Sequence, residues 1–170
     1  MADSDIFDIT GPGSDAPIEE RTVLDSLQNE LSRVIANDPI TLVVPNRNAV
    51  SLQFDTNIDS GKLQLWRKAS SDKSMPDNFD GVKFSSIVIA NQCLHVMHDG
   101  KIVTDEDGND LNFRNDAFLA MLGSKRAVPA VRKLYGADGY IFIAADAILR
   151  AAGYDSEDQD GQTEDPTVLT

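Results

Sequence analysis

Basic residues are scarce in this sequence. Fifteen Lys and Arg stand against 28 Asp and Glu in 170 residues, which sets the formal net charge at -13. That imbalance argues against DNA or RNA as a partner, because neutralising phosphates takes a basic patch. Cysteine is nearly missing: Cys93 is alone, so no internal disulfide staples the fold and stability has to come from packing. No apolar run approaches the roughly 18 residues that would span a bilayer, and the start, Met-Ala-Asp-Ser-Asp, has none of the positive charge of a secretory signal. A cytoplasmic protein with no membrane partner is expected. Signatures of nucleotide and acyl chemistry are missing as well: there is no G-x-x-x-x-G-K-[ST], no G-x-G-x-x-G after a strand and no G-x-S-x-G. An enzyme is the weaker expectation.

The acidic charge sits at the two ends. Residues 1 to 20 hold Asp3, Asp5, Asp8, Asp15, Glu19 and Glu20 without a base, and residues 153 to 170 hold Asp155, Glu157, Asp158, Asp160, Glu164 and Asp165, also without one. Six acids at each end leave residues 21 to 152 at -1, so the middle is nearly neutral. Both ends are expected to be disordered acidic tails, since they offer too little apolar surface to offset the entropy of ordering. Their mutual repulsion would keep an apolar body in solution.

Within the body the hydrophobic period changes along the chain. Residues 21 to 36 carry Leu24, Leu27, Leu31, Val34 and Ile35 at the spacing of an amphipathic helix, ended by Asn37, Asp38 and Pro39. "ITLVV" (40 to 44) and "AVSLQF" (49 to 54), separated by Pro-Asn-Arg-Asn, predict a β-hairpin. "IDSGKLQLWRKAS" fits a short helix that uses Leu63, Trp66 and Ala69, although Leu63 and Leu65 also fit a strand. The Ser-, Asp-, Pro- and Gly-rich residues 70 to 81 predict a loop, the place for an internal boundary if the body divides. A buried helix is expected from about Phe84 to Gln92. Residues 94 to 113 alternate around Asp99-Gly100 and Asp107-Gly108, predicting a hairpin and a third short strand.

Three helical pieces follow: 116 to 122 capped by Asn115 and stopped by Gly123, then 128 to 135, then a last helix capped by Asp138 and ended by Gly153. The fold class is therefore α+β, with β-hairpins packed against helices and a helical C-terminal part, in a single domain over residues 21 to 152. The last helix is apolar nearly all round. Ile141, Ala144, Ile148 and Ala151 form one stripe and Phe142, Ala145 and Leu149 another, with Asp146 and Arg150 paired at i, i+4 between them. Such a helix is either central in its own core or shares one face with a partner. Phe118, Met121, Leu122, Tyr140, Phe142 and Leu149 are the contact candidates of the second reading.

Chemistry-bearing clusters are few. Cys93, His95 and His98, beside Asp99, have metal-ligand chemistry, and i, i+2 spacing would put Cys93 and His95 on one face of a strand. With no second Cys and no third His, a buried thiol and two hairpin histidines explain them better, and no metal or other cofactor is expected. Neither acidic loop matches a calcium loop: in "DEDGNDLNFRND" Gly108 falls fourth instead of sixth and the twelfth residue is Asp116, and in "SEDQDGQTEDPT" the glycine is correctly placed but Ser156 is first and Thr167 twelfth, so turn chemistry accounts for both better.

The segments "VSLQFDTNIDSGKLQLWRKA", "HDGKIVTDEDGNDLNFRND", "AVRKLYGADG" and "ILRAAGY", in this order and followed by an acidic tail, resemble the tail assembly chaperones of long-tailed phages that infect actinobacteria. The resemblance spans about Thr41 to Tyr154 and consists of turns and helix edges, not catalytic signatures. It implies a non-enzymatic protein of the host cytoplasm that coats the tape measure protein while tail tube subunits assemble around it. Self-association along that partner is implied as well. A rival reading is a structural virion protein, such as a head-tail adaptor or capsid-associated subunit. An acidic mimic of DNA is a third.

Overall fold

A computed structural model describes residues 18 to 74 and 78 to 154. Among them the chain forms α1 (Ile18–Ser32), β1 (Ile40–Val43), β2 (Val50–Phe54), α2 (Ser60–Ser70), α3 (Gly81–Gln92), β3 (Cys93–His98), β4 (Lys101–Ile102), α4 (Asp116–Met121), α5 (Ala127–Tyr135) and α6 (Asp138–Ala151). The fold is mixed α+β, with one antiparallel sheet in the order β1-β2-β3-β4. Met1–Ala36 and Asn37–Thr170 are separate units. The range expected as a loop, 70 to 81, falls inside the second unit, with Ser70 ending α2 and Gly81 opening α3, and the division falls ahead of the sheet. Most of both acidic ends, expected as disordered tails, lies outside the described residues.

The first unit contains α1, which begins at Ile18, three residues before the apolar period would start it. A first turn contributes N–H groups to the helix but few apolar contacts, so that period does not mark it. The helix stops at Ser32, short of Val34 and Ile35. Both are 90% exposed, and β-branched side chains lose rotamer freedom in a helix with no burial to offset the loss.

In the second unit both hairpins follow from turn chemistry. Asn46, at φ 62°, lets the chain reverse between β1 and β2, where Val44 N–H donates to Val50 O at 2.9 Å. Asp99 (φ 49°) and Gly100 (φ 77°) both occupy the left-handed region, the pairing that a two-residue turn between β3 and β4 requires. The expected third strand after Gly108 is reduced to a single bridge, Thr104 with Asp110. The turn ahead of it is fastened by Asp105 Oδ1, which accepts from Asp107 N–H at 3.0 Å and Asn109 N–H at 2.8 Å, while Leu111 N–H donates to Val103 O at 2.9 Å and Leu111 O accepts from Val96 N–H at 2.8 Å.

The core lies between the sheet and the helices. Leu52 and Phe54 of β2 pair with Val96 and Cys93 of β3, and all four are buried. A bulge between them leaves Leu94 without a partner on β2. Capped by Asp80 Oδ1, which accepts from Lys83 N–H at 2.9 Å, α3 packs against α2, α5 and α6 and buries Phe84, Val88 and Ile89. In α2 the inward stripe is Leu63, Trp66 and Ser70. Ala69, expected inside, is exposed, because the Ser70 hydroxyl donates to Trp66 O at 2.8 Å and takes the inward position. Asp138 is the first residue of α6 and not its cap: Ala137 holds that position without a side-chain bond. Gly153 (φ 89°) ends the helix as expected, with Tyr154 N–H donating back to Leu149 O at 2.9 Å.

Candidate partner-binding surface

The apolar last helix is central to its own core. Ile141, Ala144, Ala145, Ile148 and Leu149 are all buried, so both stripes read from the sequence are covered along most of their length, by α3, α5 and β1. Asp146 and Arg150 form the expected ion pair at 2.9 Å on the remaining line. Leu149 is thereby removed from the contact candidates. Phe118 is also removed: it is 6% exposed and meets Phe113 edge-on at 5.4 Å between ring centroids. Leu122 and Tyr140 are half-buried against the core. Met121, on α4, is exposed.

What stays open is one side of the second turn of α6. Phe142 is 45% exposed, and Ile143 beside it is exposed as well. The Phe142 ring lies across the first turn of α3, where a Cβ built on Gly81 would stand 3.2 Å from Phe142 Cε1 and 4.0 Å from Phe79 Cε1. Glycine at 81 is what allows the two rings to approach the backbone so closely. Phe79, 48% exposed, leans on buried Phe84 with centroids 5.6 Å apart. The patch is thus an aromatic ledge of Phe79, Phe142 and Ile143 on the rim of the core. Sequence reasoning found Phe142 and missed Phe79 and Ile143. The nearest signal for Phe79 was its place as the one aromatic residue of "SSDKSMPDNFDG", but single exposed apolar residues are ordinary, and nothing local marked Ile143.

The Cys-His cluster is dispersed by the bulge. Cys93 faces the core opposite Phe54, whereas His95 sits opposite Gln53 on the other face, so the expected shared face does not form. Burial pushes the Cys93 thiol up to about 12, and its Sγ lies 3.9 Å from the His95 carbonyl. His95 Nδ1 is 2.8 Å from Asp110 Oδ2 and donates to it when that nitrogen carries a proton. His98 pairs with its neighbour Asp99 at 3.2 Å. Among the described residues no three His, Cys, Asp or Glu side chains converge as a metal would require. The Asp105 loop spends its oxygens on itself: hydrogen bonds from the Asn109 backbone and the Asn115 side chain hold its carboxyl below the usual 3.8. The second acidic loop considered for calcium lies outside the described residues. Among the described residues no helix is long and apolar enough to cross a membrane.

No protein family, curated protein or solved structure compared with this chain matches it.

Proposed function

We propose that this protein is a non-enzymatic tail assembly chaperone of a long-tailed phage, covering apolar helical segments of the tape measure protein in the host cytoplasm until tail tube subunits close around them. The observation that carries the reading is the ledge of Phe79, Phe142 and Ile143, the two rings nearly half-exposed and Ile143 more so, beside a core that already encloses most of the neighbouring stripes of α6. Aromatic side chains at the surface give large contact area at low entropic cost, and a ledge backed by a packed helix is preorganised to receive the apolar face of a partner helix. The excess of acids suits a carrier that must stay dissolved while it holds greasy cargo.

Co-expression with an apolar helical segment of a tape measure protein, followed by pull-down, tests the reading. The parent chain is expected to keep the segment in the soluble fraction. Phe142→Asp with Phe79→Ser is expected to lose capture by about tenfold or more while the circular dichroism of the body is unchanged. Equal capture by parent and double variant overturns the ledge as the binding surface. Mass spectrometry of purified virions addresses the role itself: a chaperone is depleted from the particle, and stoichiometric retention would favour the head-tail adaptor.

A further inference from the structure

One patch of the second unit is basic. Between Asp116 and Asp138 the chain carries Lys125, Arg126, Arg132 and Lys133 and no acid, in a sequence where acids outnumber bases by 28 to 15. All four are exposed, on α5 and the loop that leads into it. Tertiary contacts tighten the group. The Lys133 ammonium donates to Gly123 O on that same loop, and Arg47, arriving from the turn between β1 and β2, donates from Nε to Leu134 O at 3.0 Å. Among the described residues none of these five cations forms an ion pair with a carboxylate. Like charges held on one surface repel one another, a cost that an anionic segment laid over them relieves.

From this placement we infer that the acidic residues 155 to 170 of the same chain dock on the patch, their carboxylates paired with Lys125, Arg126, Arg132, Lys133 and Arg47. Charge and tether both select this occupant. The segment supplies six acids and no base. It leaves the body at a fixed point, because Tyr154 N–H donates to Leu149 O and the Tyr154 hydroxyl to Ile58 O, each at 2.9 Å. From there sixteen residues reach up to about 50 Å when extended, against a radius of gyration of about 13 Å for a body of this size, so the patch is within reach wherever it stands on the unit. The tether raises the effective concentration of the carboxylates, which lets individually weak surface pairs act together. A free polyanion must instead approach a chain of net charge -13. The basic residues beside α2 are the lesser target, since Lys68, Lys73 and Lys83 share their hollow with Asp72 and Asp80. None of this depends on the assembly role proposed above, which uses the aromatic ledge.

Acetylation of the full chain by an N-hydroxysuccinimide ester, read lysine by lysine by mass spectrometry, reports which amines are covered. The parent is compared with a full-length variant whose six acids become amides: Asp155→Asn, Glu157→Gln, Asp158→Asn, Asp160→Asn, Glu164→Gln and Asp165→Asn. Lys125 and Lys133 are expected to react about threefold faster in the variant, and also in the parent at about 1 M salt, where the screening length is about 3 Å. Lys62, Lys68 and Lys101 serve as internal references and should change far less. Equal rates at Lys125 and Lys133 in parent and variant overturn the docking. So does a rise of the same size at every lysine, which would report the field of the segment and not its contact. Protection that strengthens between about 2 and about 200 μM protein overturns it as well, because the acids would then come from another copy. A thermal melt verifies that the body of the variant is unchanged.

Discussion

Cys93 behaves as a small hydrophobe. With its thiol pushed up to about 12 by burial, opposite Phe54 in the sheet, it offers almost no thiolate near neutrality. Iodoacetamide at pH 8 is expected to leave the native protein unmodified and to alkylate Cys93 fully once urea unfolds it, as intact-mass measurement would show. Labelling of the native chain would mean that the β2·β3 register opens far more readily than its packing implies. Asp105 is the contrasting case, a half-buried carboxylate whose native pKa is lowered by the Asn109 backbone N–H and the Asn115 side chain that donate to it. A lowered native value stabilises the fold fully above about 3.8 and is lost as pH falls through that lower value. Asp105→Ala should therefore depress the Tm by a constant amount from pH 7 to about 4.5, with the gap to the parent narrowing below that as the parent's own carboxylate is protonated. Thermal melts across that range check the sign.

At the scale of elements, much of the body was legible because turns and caps are local chemistry. Asn115 and Gly123 bracket α4, Asp99-Gly100 joins β3 to β4, and Gly153 stops α6, each at the position that its backbone preference required. The candidate surface was less legible. Hydrophobic periodicity identifies a face without saying what covers it, so Phe118 and Leu149 looked as available as Phe142 until α3 and Phe113 were in place against them. The bulge on β3 is a second instance: one unpaired residue, Leu94, moves His95 to the face opposite Cys93, and no pattern in six residues marks it. The C-terminal end of α6 is tied across the fold by the Tyr154 hydroxyl, which donates to Ile58 O at 2.9 Å. Tyr154→Phe is expected to lower stability by about 1 kcal/mol, read as a shift in urea midpoint at unchanged slope. An unchanged midpoint would show that this tie adds nothing.

At the scale of the molecule, charge and apolar surface oppose one another. Six acids at each end, with no base among them, repel their counterparts on another copy, while exposed apolar side chains favour contact between copies. Raising salt from about 20 to about 300 mM shortens the screening length from roughly 20 Å to under 6 Å, so association between copies through apolar surface should strengthen. Sedimentation at the two ionic strengths reads this, and a weaker association in high salt would mean that attraction between opposite charges, not apolar surface, holds the copies.

The sequence by itself determined the α+β class, the turns, most helix ends, the Asp146–Arg150 pair and the uneven placement of charge, because each depends on backbone preference or composition within a few residues. Tertiary structure alone decided which apolar stripes are spare. It enclosed the last helix between α3, α5 and β1, and it left open Phe79, Phe142 and Ile143 together with Val23, Leu24, Leu27 and Leu31 of α1. The physical reason is that burial belongs to pairs of surfaces: a side chain is hidden only when another part of the chain arrives to hide it, and that arrival is not written in its own neighbourhood.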